Sequence, residues 1–356
     1  MILKRFLAIF CAFAVLLGGC GKDDSAPENP EDASSVSESE ESVPEESVPE
    51  ESEQESSDES SKEEPETSGD TSSAGGESSG DGASGGEEST PVPEQPKSPP
   101  RVSLSNRIIE LGEVLVLHIS NVESSEVVAD TDLPHNSLFY PDGDGLTVLL
   151  PISYNEAPGN YTLSIQARDK TFDYTIMVVD REFEVQNLTI SEDTVGATDT
   201  AEANQEWEQK IEPLKMLASP DKYWEGPFMQ PVQGEITTEF GSIRYTNGSA
   251  SSTRHSGIDI AAAQGTSIAA ANNGKILFAD FLQLTGNTVV IDHGFGLKSF
   301  YYHMDSLNVK EGDMVQTGDI VGTVGSTGYS TGPHLHYSLL VNNVFINPWT
   351  AFEHGI

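Results

Sequence analysis

The chain has 356 residues, 36% of them hydrophobic, and its 58 acidic side chains outnumber 18 basic ones to give a formal net charge of −40 at neutral pH. That balance excludes a nucleic-acid binder, because a phosphate backbone needs a basic face, and it predicts repulsion from anionic lipid headgroups. The length admits more than one domain, and the composition is uneven enough that each segment carries its own expectation.

Residues 1–20 start with Lys4 and Arg5, run apolar from Phe6 to Leu17 and end Leu17-Gly18-Gly19-Cys20. About a dozen apolar residues are too few to span a bilayer and fit the core of a signal peptide. The ending resembles a bacterial lipobox, which implies cleavage before Cys20 and lipid modification of that residue; the alternative is ordinary secretion with an incidental cysteine. The expected location is extracytoplasmic, lipid-anchored to the bacterial cell membrane at Cys20 and facing the cell wall. Cys11 would leave with the signal and Cys20 would be acylated, so neither of the two cysteines remains for a disulfide and the folded part must rely on its core and a metal.

Residues 21–100 are Ser, Glu, Gly and Pro with almost no large apolar side chain, including a tandem Glu-Ser-Val-Pro-Glu at 41–45 and 46–50. Such a composition cannot bury enough surface to offset chain entropy, so a disordered acidic tether is expected. Its random-coil end-to-end distance would be about 50 Å, and more with like-charge repulsion.

Over residues 101–182 the period is two. Tyr161, Leu163, Ile165 and Ala167 alternate with polar residues, and after an Asp169-Lys170 corner Phe172, Tyr174, Ile176 and Val178 alternate again, which predicts a hairpin with one buried face. Further strands are expected within 108–120 and 146–153, so the segment reads as a small β-sandwich, immunoglobulin-like in architecture only. His118 and His135 have no metal-type spacing and are expected to be ordinary. Residues 183–227 form a linker with a helix over 204–217, where Trp207, Ile211, Leu214 and Met216 recur among Glu, Gln and Lys.

From residue 228 to 356 short β-type runs are punctuated by Gly and other turn residues: 234–241, 274–278, 287–292, 299–303, 320–325 and 336–341. This pattern predicts a mainly β domain, an antiparallel sheet or folded-over barrel with almost no helix. In a strand, His334 and His336 share one face about 7 Å apart, so one ring can bind a metal while its neighbour works on a bound water. His255 and Asp259 offer an imidazole and a carboxylate, and His303 is a further isolated histidine. A hydrolytic zinc uses three protein ligands and keeps a position for water, which His255, Asp259 and one histidine of the pair satisfy. The remaining imidazoles could take the water's proton and donate to a developing oxyanion. Spacing alone does not say which of His334 and His336 binds the metal. His293 is expected to be a turn or supporting residue and His354 a bystander.

His255-Ser-Gly-Ile-Asp-Ile-Ala-Ala262, Val290-Ile-Asp-His-Gly294, Tyr302-His-Met304, Val309–Val315, Gly322–Gly328 and Ser330-Thr-Gly-Pro-His-Leu-His336 resemble the lysostaphin and LytM type of zinc metallopeptidase. The resemblance covers residues 228 to 350. It implies Zn2+ held by His255, Asp259 and His336, with His303 and His334 as catalytic histidines. It also implies hydrolysis of peptide bonds in peptidoglycan, in stem-peptide crosslinks or in glycine bridges. Many family sequences follow the second histidine with an aromatic residue and Glu; Tyr337 and Ser338 stand here, which touches a supporting contact and leaves the ligand set intact. The expectation is a membrane-anchored zinc metalloendopeptidase acting on peptidoglycan. Its alternatives are a non-catalytic wall-binding regulator of other hydrolases and a peptidase acting on extracellular protein. The segments 223–228 and 245–253 are each positioned to cover the groove.

Overall fold

The computed structural model describes residues 97–133 and 138–356. The expectations for the signal peptide, for Cys20, for the tether up to residue 96 and for His135 lie outside the described residues. The described chain is mainly β, and no helix in it is long and apolar enough to cross a membrane.

Two four-stranded sheets come first. One has the order Arg101–Leu104, Val114–Ser120, Gly145–Pro151, Tyr140–Asp142, and the other Ile108–Glu110, Lys170–Val179, Gly159–Ala167, Val127–Thr131. Leu115, Leu117 and Ile119 of the first face Leu163, Ile165, Ala167, Ile176 and Val178 of the second across one apolar core. The predicted hairpin is present: Ala167 pairs with Lys170 across a turn in which Arg168 takes a positive φ of 53°. Leu146–Leu150 does not alternate because both of its faces are covered. Leu146, Val148 and Leu150 fill the sandwich, while Leu149 points the other way into the core of the C-terminal domain with Val114 and Tyr140. Tyr140 stacks on Phe295 at 4.7 Å, and the Asn347 amide donates to the Gly112 carbonyl at 2.7 Å. The two regions therefore share a continuous apolar core.

The C-terminal domain is organised by an eight-stranded antiparallel sheet. Its strands, in chain order, are β1 (Glu235–Thr238), β2 (Ile258–Ala261), β3 (Gly274–Leu282), β4 (Gly286–Gly294), β5 (Leu297–Met304), β6 (Met314–Val315), β7 (His334–Val341) and β8 (Val344–Ile346). Their spatial order is β1-β2-β7-β5-β4-β3-β6, with β8 paired to β7. Val289, Ile291, Tyr301, Leu335, Tyr337 and Leu339 line one face, where Ile268 and Val321 of a small three-stranded sheet cover them. The folded-over arrangement is thus an open sheet with a smaller one packed on it, and not a closed barrel.

The opposite face carries Val290, Phe300, Tyr302 and Leu340, and the linker covers it. Ile211 is fully buried there, with Trp207 and Leu214 beside it. The linker helix starts at Ala201, earlier than the expected 204, because the Thr200 hydroxyl accepts from the Ala203 amide and caps it. It breaks at Ile211, and a short turn of helix resumes over Glu212–Lys215 with Pro213 in its first turn, where a missing N–H costs nothing. A second linker segment, Val185–Leu188, runs parallel to Ile243–Thr246, which pairs in turn with Thr253–Arg254.

Candidate metal centre

The face of β7 that carries Leu340 also carries Ser338, His336 and His334, by simple alternation. Asp259 on β2 lies directly opposite His336, and Thr238 on β1 opposite Asp259. His255 precedes β2 and reaches the same point because Gly257 lets the chain pass against β7; a Cβ there would strike the Tyr337 carbonyl and the Ser338 hydroxyl. His255, Asp259 and His336 are buried together. His255 Nε2 lies 3.0 Å from Asp259 Oδ1 and 2.8 Å from His336 Nδ1, and His336 Nδ1 lies 2.8 Å from Asp259 Oδ1.

His255 Nδ1 donates to the Glu239 carbonyl at 3.0 Å, which leaves its Nε2 with a lone pair facing inward. His336 Nε2 lies 2.8 Å from the Ser338 hydroxyl, with Ser256 Oγ a further 3.3 Å neighbour, and in the tautomer that donates to Ser338 the Nδ1 lone pair also faces inward. In that form two lone pairs and a carboxylate oxygen converge on one point, the arrangement a cation would hold together. Tetrahedral zinc with bonds near 2.0–2.1 Å would separate such atoms by about 3.3 Å, close to the spacings found. The donor set therefore fits a divalent metal.

Electrostatics agree. Burial is the strongest influence on Asp259 and opposes its charge, but His255 and His336 beside it hold the carboxyl well below its usual range. Burial, reinforced by His255, pulls His336 down to about 4. Burial, reinforced by His334 and His336, pulls His303 down to about 3. His303 and His336 are thus neutral at physiological pH, the form that can bind a metal or accept a proton.

His303 reaches this face by breaking the strand pattern. Tyr302 pairs with His336 across the sheet, so regular alternation would send His303 to the core side with Tyr301. A left-handed backbone at His303, φ 61°, turns the ring back. Such a backbone costs on the order of 1–3 kcal/mol for a residue other than glycine and persists where the surroundings enforce it. Here the His303 amide donates to the Thr285 carbonyl at 2.9 Å and its ring Nδ1 to the Thr327 carbonyl at 2.8 Å. His303 and His334 face each other with ring centroids 4.8 Å apart. His334 Nδ1 donates to the Gly332 carbonyl at 2.8 Å, and its Nε2 lies 3.8 Å from Asp259 Oδ1.

All the side chains singled out for chemistry in this domain therefore meet. The others do not: His293 is a fully buried core residue whose nitrogens are satisfied by the Asn273 carbonyl at 2.7 Å and Ser299 Oγ at 2.8 Å. His354 is exposed beside Glu353, and His118 lies against Thr147 in the sandwich. Segment 223–228 does not cover the groove, since Trp224 and Phe228 belong to the core. The groove's wall comes instead from the linker: Gln186, Leu188 and Ile190 line a cavity of about 540 Å3 on one side of the site, and Trp207 a cavity of about 320 Å3 on the other. Arg244 also went unforeseen. Its Nη2 pairs with Asp259 Oδ2, and its Nε donates to Gln186 Oε1 at 3.4 Å. Neither Arg244 nor the backbone acceptors of Glu239 and Thr327 has a sequence signal at metal-ligand spacing.

An open antiparallel sheet that brings a His, Asp, His cluster together with two further imidazoles has the make-up of a metallopeptidase-type domain. Residues 253–348 match the model for peptidase family M23. Among curated relatives, DD-carboxypeptidase/endopeptidase Mpg of Neisseria meningitidis is 45% identical over 94 residues, 26% of this chain and 22% of the relative. Peptidoglycan DD-endopeptidase ShyC of Vibrio cholerae is 42% identical over 97 residues, 27% of this chain and 22% of the relative. A solved structure, the catalytic domain of the prophage-encoded M23 protein EnpA from Enterococcus faecalis, is 34% identical over 36% of this chain and 95% of its own, with a TM-score of 0.29. The chain thus carries a peptidase M23 domain over residues 253–348. It spans only 22% to 32% of the length of the first curated relatives it matches.

Proposed function

We propose that this protein is a zinc-dependent endopeptidase that hydrolyses peptide bonds in bacterial peptidoglycan. The observation that carries the reading is the convergence of His255 Nε2, Asp259 Oδ1 and His336 Nδ1, flanked by the facing rings of His303 and His334. His255, Asp259 and His336 are assigned as ligands. A bound zinc would acidify a water and polarise a peptide carbonyl. His303 and His334 each use Nδ1 on a backbone carbonyl, which leaves Nε2 to receive or return a proton beside the ligands. Burial keeps His303 neutral, and the backbone carbonyls of Thr327 and Gly332 hold both rings in place. Arg244 and Ser338 hold the outer atoms of Asp259 and His336, so the ligand geometry does not depend on the metal alone.

Peptidoglycan is favoured as substrate because a relative that shares the domain, ShyC, is named a peptidoglycan DD-endopeptidase, and Mpg is named a DD-carboxypeptidase/endopeptidase. Lipid attachment at Cys20, with residues 21–100 as a tether, is the location this reading proposes; it rests on the sequence of the first 20 residues. Incubating the full chain and zinc with purified peptidoglycan, followed by mass spectrometry of the fragments, tests the function. New free amino groups at one defined bond are expected. Intact crosslinks and stem peptides in the presence of bound zinc would overturn it and leave a non-catalytic role.

A further inference from the structure

Arg244 occupies an unusual position for a cation in this chain. It lines both cavities that meet at the metal centre, and among the residues lining them the only carboxylate is Asp259. Arg244 and Arg254 stand against that single carboxylate in the lining, so the groove itself carries net positive charge. A divalent metal with one carboxylate ligand would add to that sign.

The guanidinium is only partly used. Nη2 pairs with Asp259 Oδ2 and Nε donates to Gln186 Oε1, while Nη1 has no acceptor among the described residues. The side chain is 20% exposed, so it reaches the groove from a fixed position and is not a mobile surface arginine. Its rigidity has a source in the linker: Gln186 is held in the parallel pairing of Val185–Leu188 with Ile243–Thr246, and its Nε2 donates to Thr238 Oγ1 at 3.5 Å. Arginine's planar fork matches a carboxylate, and a charge-assisted hydrogen bond is about twice as strong as a neutral one.

We propose that Arg244 anchors a carboxylate of the substrate, so that the groove takes peptides with a free α-carboxylate beside the scissile bond in preference to uncharged, glycine-rich ones. The distance sets the position of that group. Arg244 already touches one oxygen of Asp259 whose other oxygen faces the ligand nitrogens, and consecutive residues of an extended peptide are about 3.8 Å apart. A carboxylate on Arg244 therefore belongs to the residue at the scissile bond or its immediate neighbour. This deepens the peptidase reading by naming the substrate class.

Binding tests the proposal without requiring turnover. The probes are N-acetyl-D-alanyl-D-alanine, its C-terminal carboxamide and N-acetyl-triglycine amide, titrated into the zinc-loaded full chain by calorimetry. The acid should bind at least about tenfold more tightly than either amide, and the advantage should shrink as salt rises. Arg244→Ala should abolish the difference between acid and carboxamide, and Arg244→Lys should keep part of it. Arg244 also positions Asp259, but a purely positioning role would weaken both probes together and leave their ratio intact. Equal affinity for acid and carboxamide in the wild-type chain, or a ratio unchanged in Arg244→Ala, overturns the proposal. An acid preference in a chain that cuts no peptidoglycan would instead support this anchor and remove the peptidase reading.

Discussion

The sandwich and the eight-stranded sheet use the same alternation of side chains and end with opposite interiors. Among the described residues the sandwich buries Thr147 as its polar side chain, whereas the C-terminal domain buries His255, Asp259, Asp292, His293, Lys298, His303 and His336 along with several hydroxyls and amides. One interior is held by apolar area alone. The other accepts the cost of desolvating ionisable groups, which is compensated only if each finds a partner. Most do so through a backbone carbonyl or a neighbouring hydroxyl, and Asp259 does so through Arg244 and the two imidazoles beside it. Function in this molecule is concentrated where packing alone would have placed leucine.

The largest expected effect follows from that contrast. Asp259→Ala or His336→Ala should lose bound zinc and reduce peptidoglycan hydrolysis to below about a thousandth of wild type, as should a chelator, with zinc restoring only the chelated protein. Metal analysis beside the hydrolysis assay checks this. His303→Ala separates ligand from proton carrier: hydrolysis should fall by about 10²–10⁴ while zinc content holds. Zinc lost together with His303 would show that its ring serves the metal and not the proton.

On the apolar side, Leu117→Ala in the sandwich should cost about 2–5 kcal/mol by denaturant unfolding and leave zinc affinity unchanged. Ile211→Ala should cost a similar amount, because that side chain is fully buried on the site's own face of the sheet. A negligible cost there would mean that the linker is not part of the folded domain. Lys298 offers the smallest effect. Buried beside Asp292, it has its ammonium pulled down to about 8 by burial, so between pH 8 and its ordinary 10.5 the unfolded chain binds more protons than the folded one. Its contribution makes stability rise with pH across that window, by at most about 1.4 kcal/mol per pH unit, and is absent above it as a penalty. Lys298→Met should flatten that rise relative to wild type in unfolding curves measured from pH 7 to 10.

Legibility followed the same division. The hairpin from Gly159 to Val179 and the pairing of His334 with His336 on one face came directly from a period of two, because nothing local opposes it. His255 and Asp259 were legible by residue type, but their approach to His336 depends on strand register, which no local pattern encodes. His303 contradicts its own alternation and is rescued by a left-handed backbone, a feature visible only once Thr285 and Thr327 are placed. The linker's role was the hardest to read. Gln186 and Trp207 lie far from the motifs in sequence and reach the groove through a parallel strand pairing and a helix packed on the sheet. Arg244 shares that obscurity, since a lone arginine in a β run says nothing until its carboxylate partner is in view.

The central claim is that three named atoms hold the metal and two further imidazoles do not. Anomalous diffraction at the zinc absorption edge from crystals of the zinc-loaded protein tests it directly. A single strong peak about 2.0–2.2 Å from His255 Nε2, Asp259 Oδ1 and His336 Nδ1, with His303 and His334 outside bonding distance, is the predicted result. A peak bonded to His303 or His334, or no peak at this site while zinc binds elsewhere, would contradict the account.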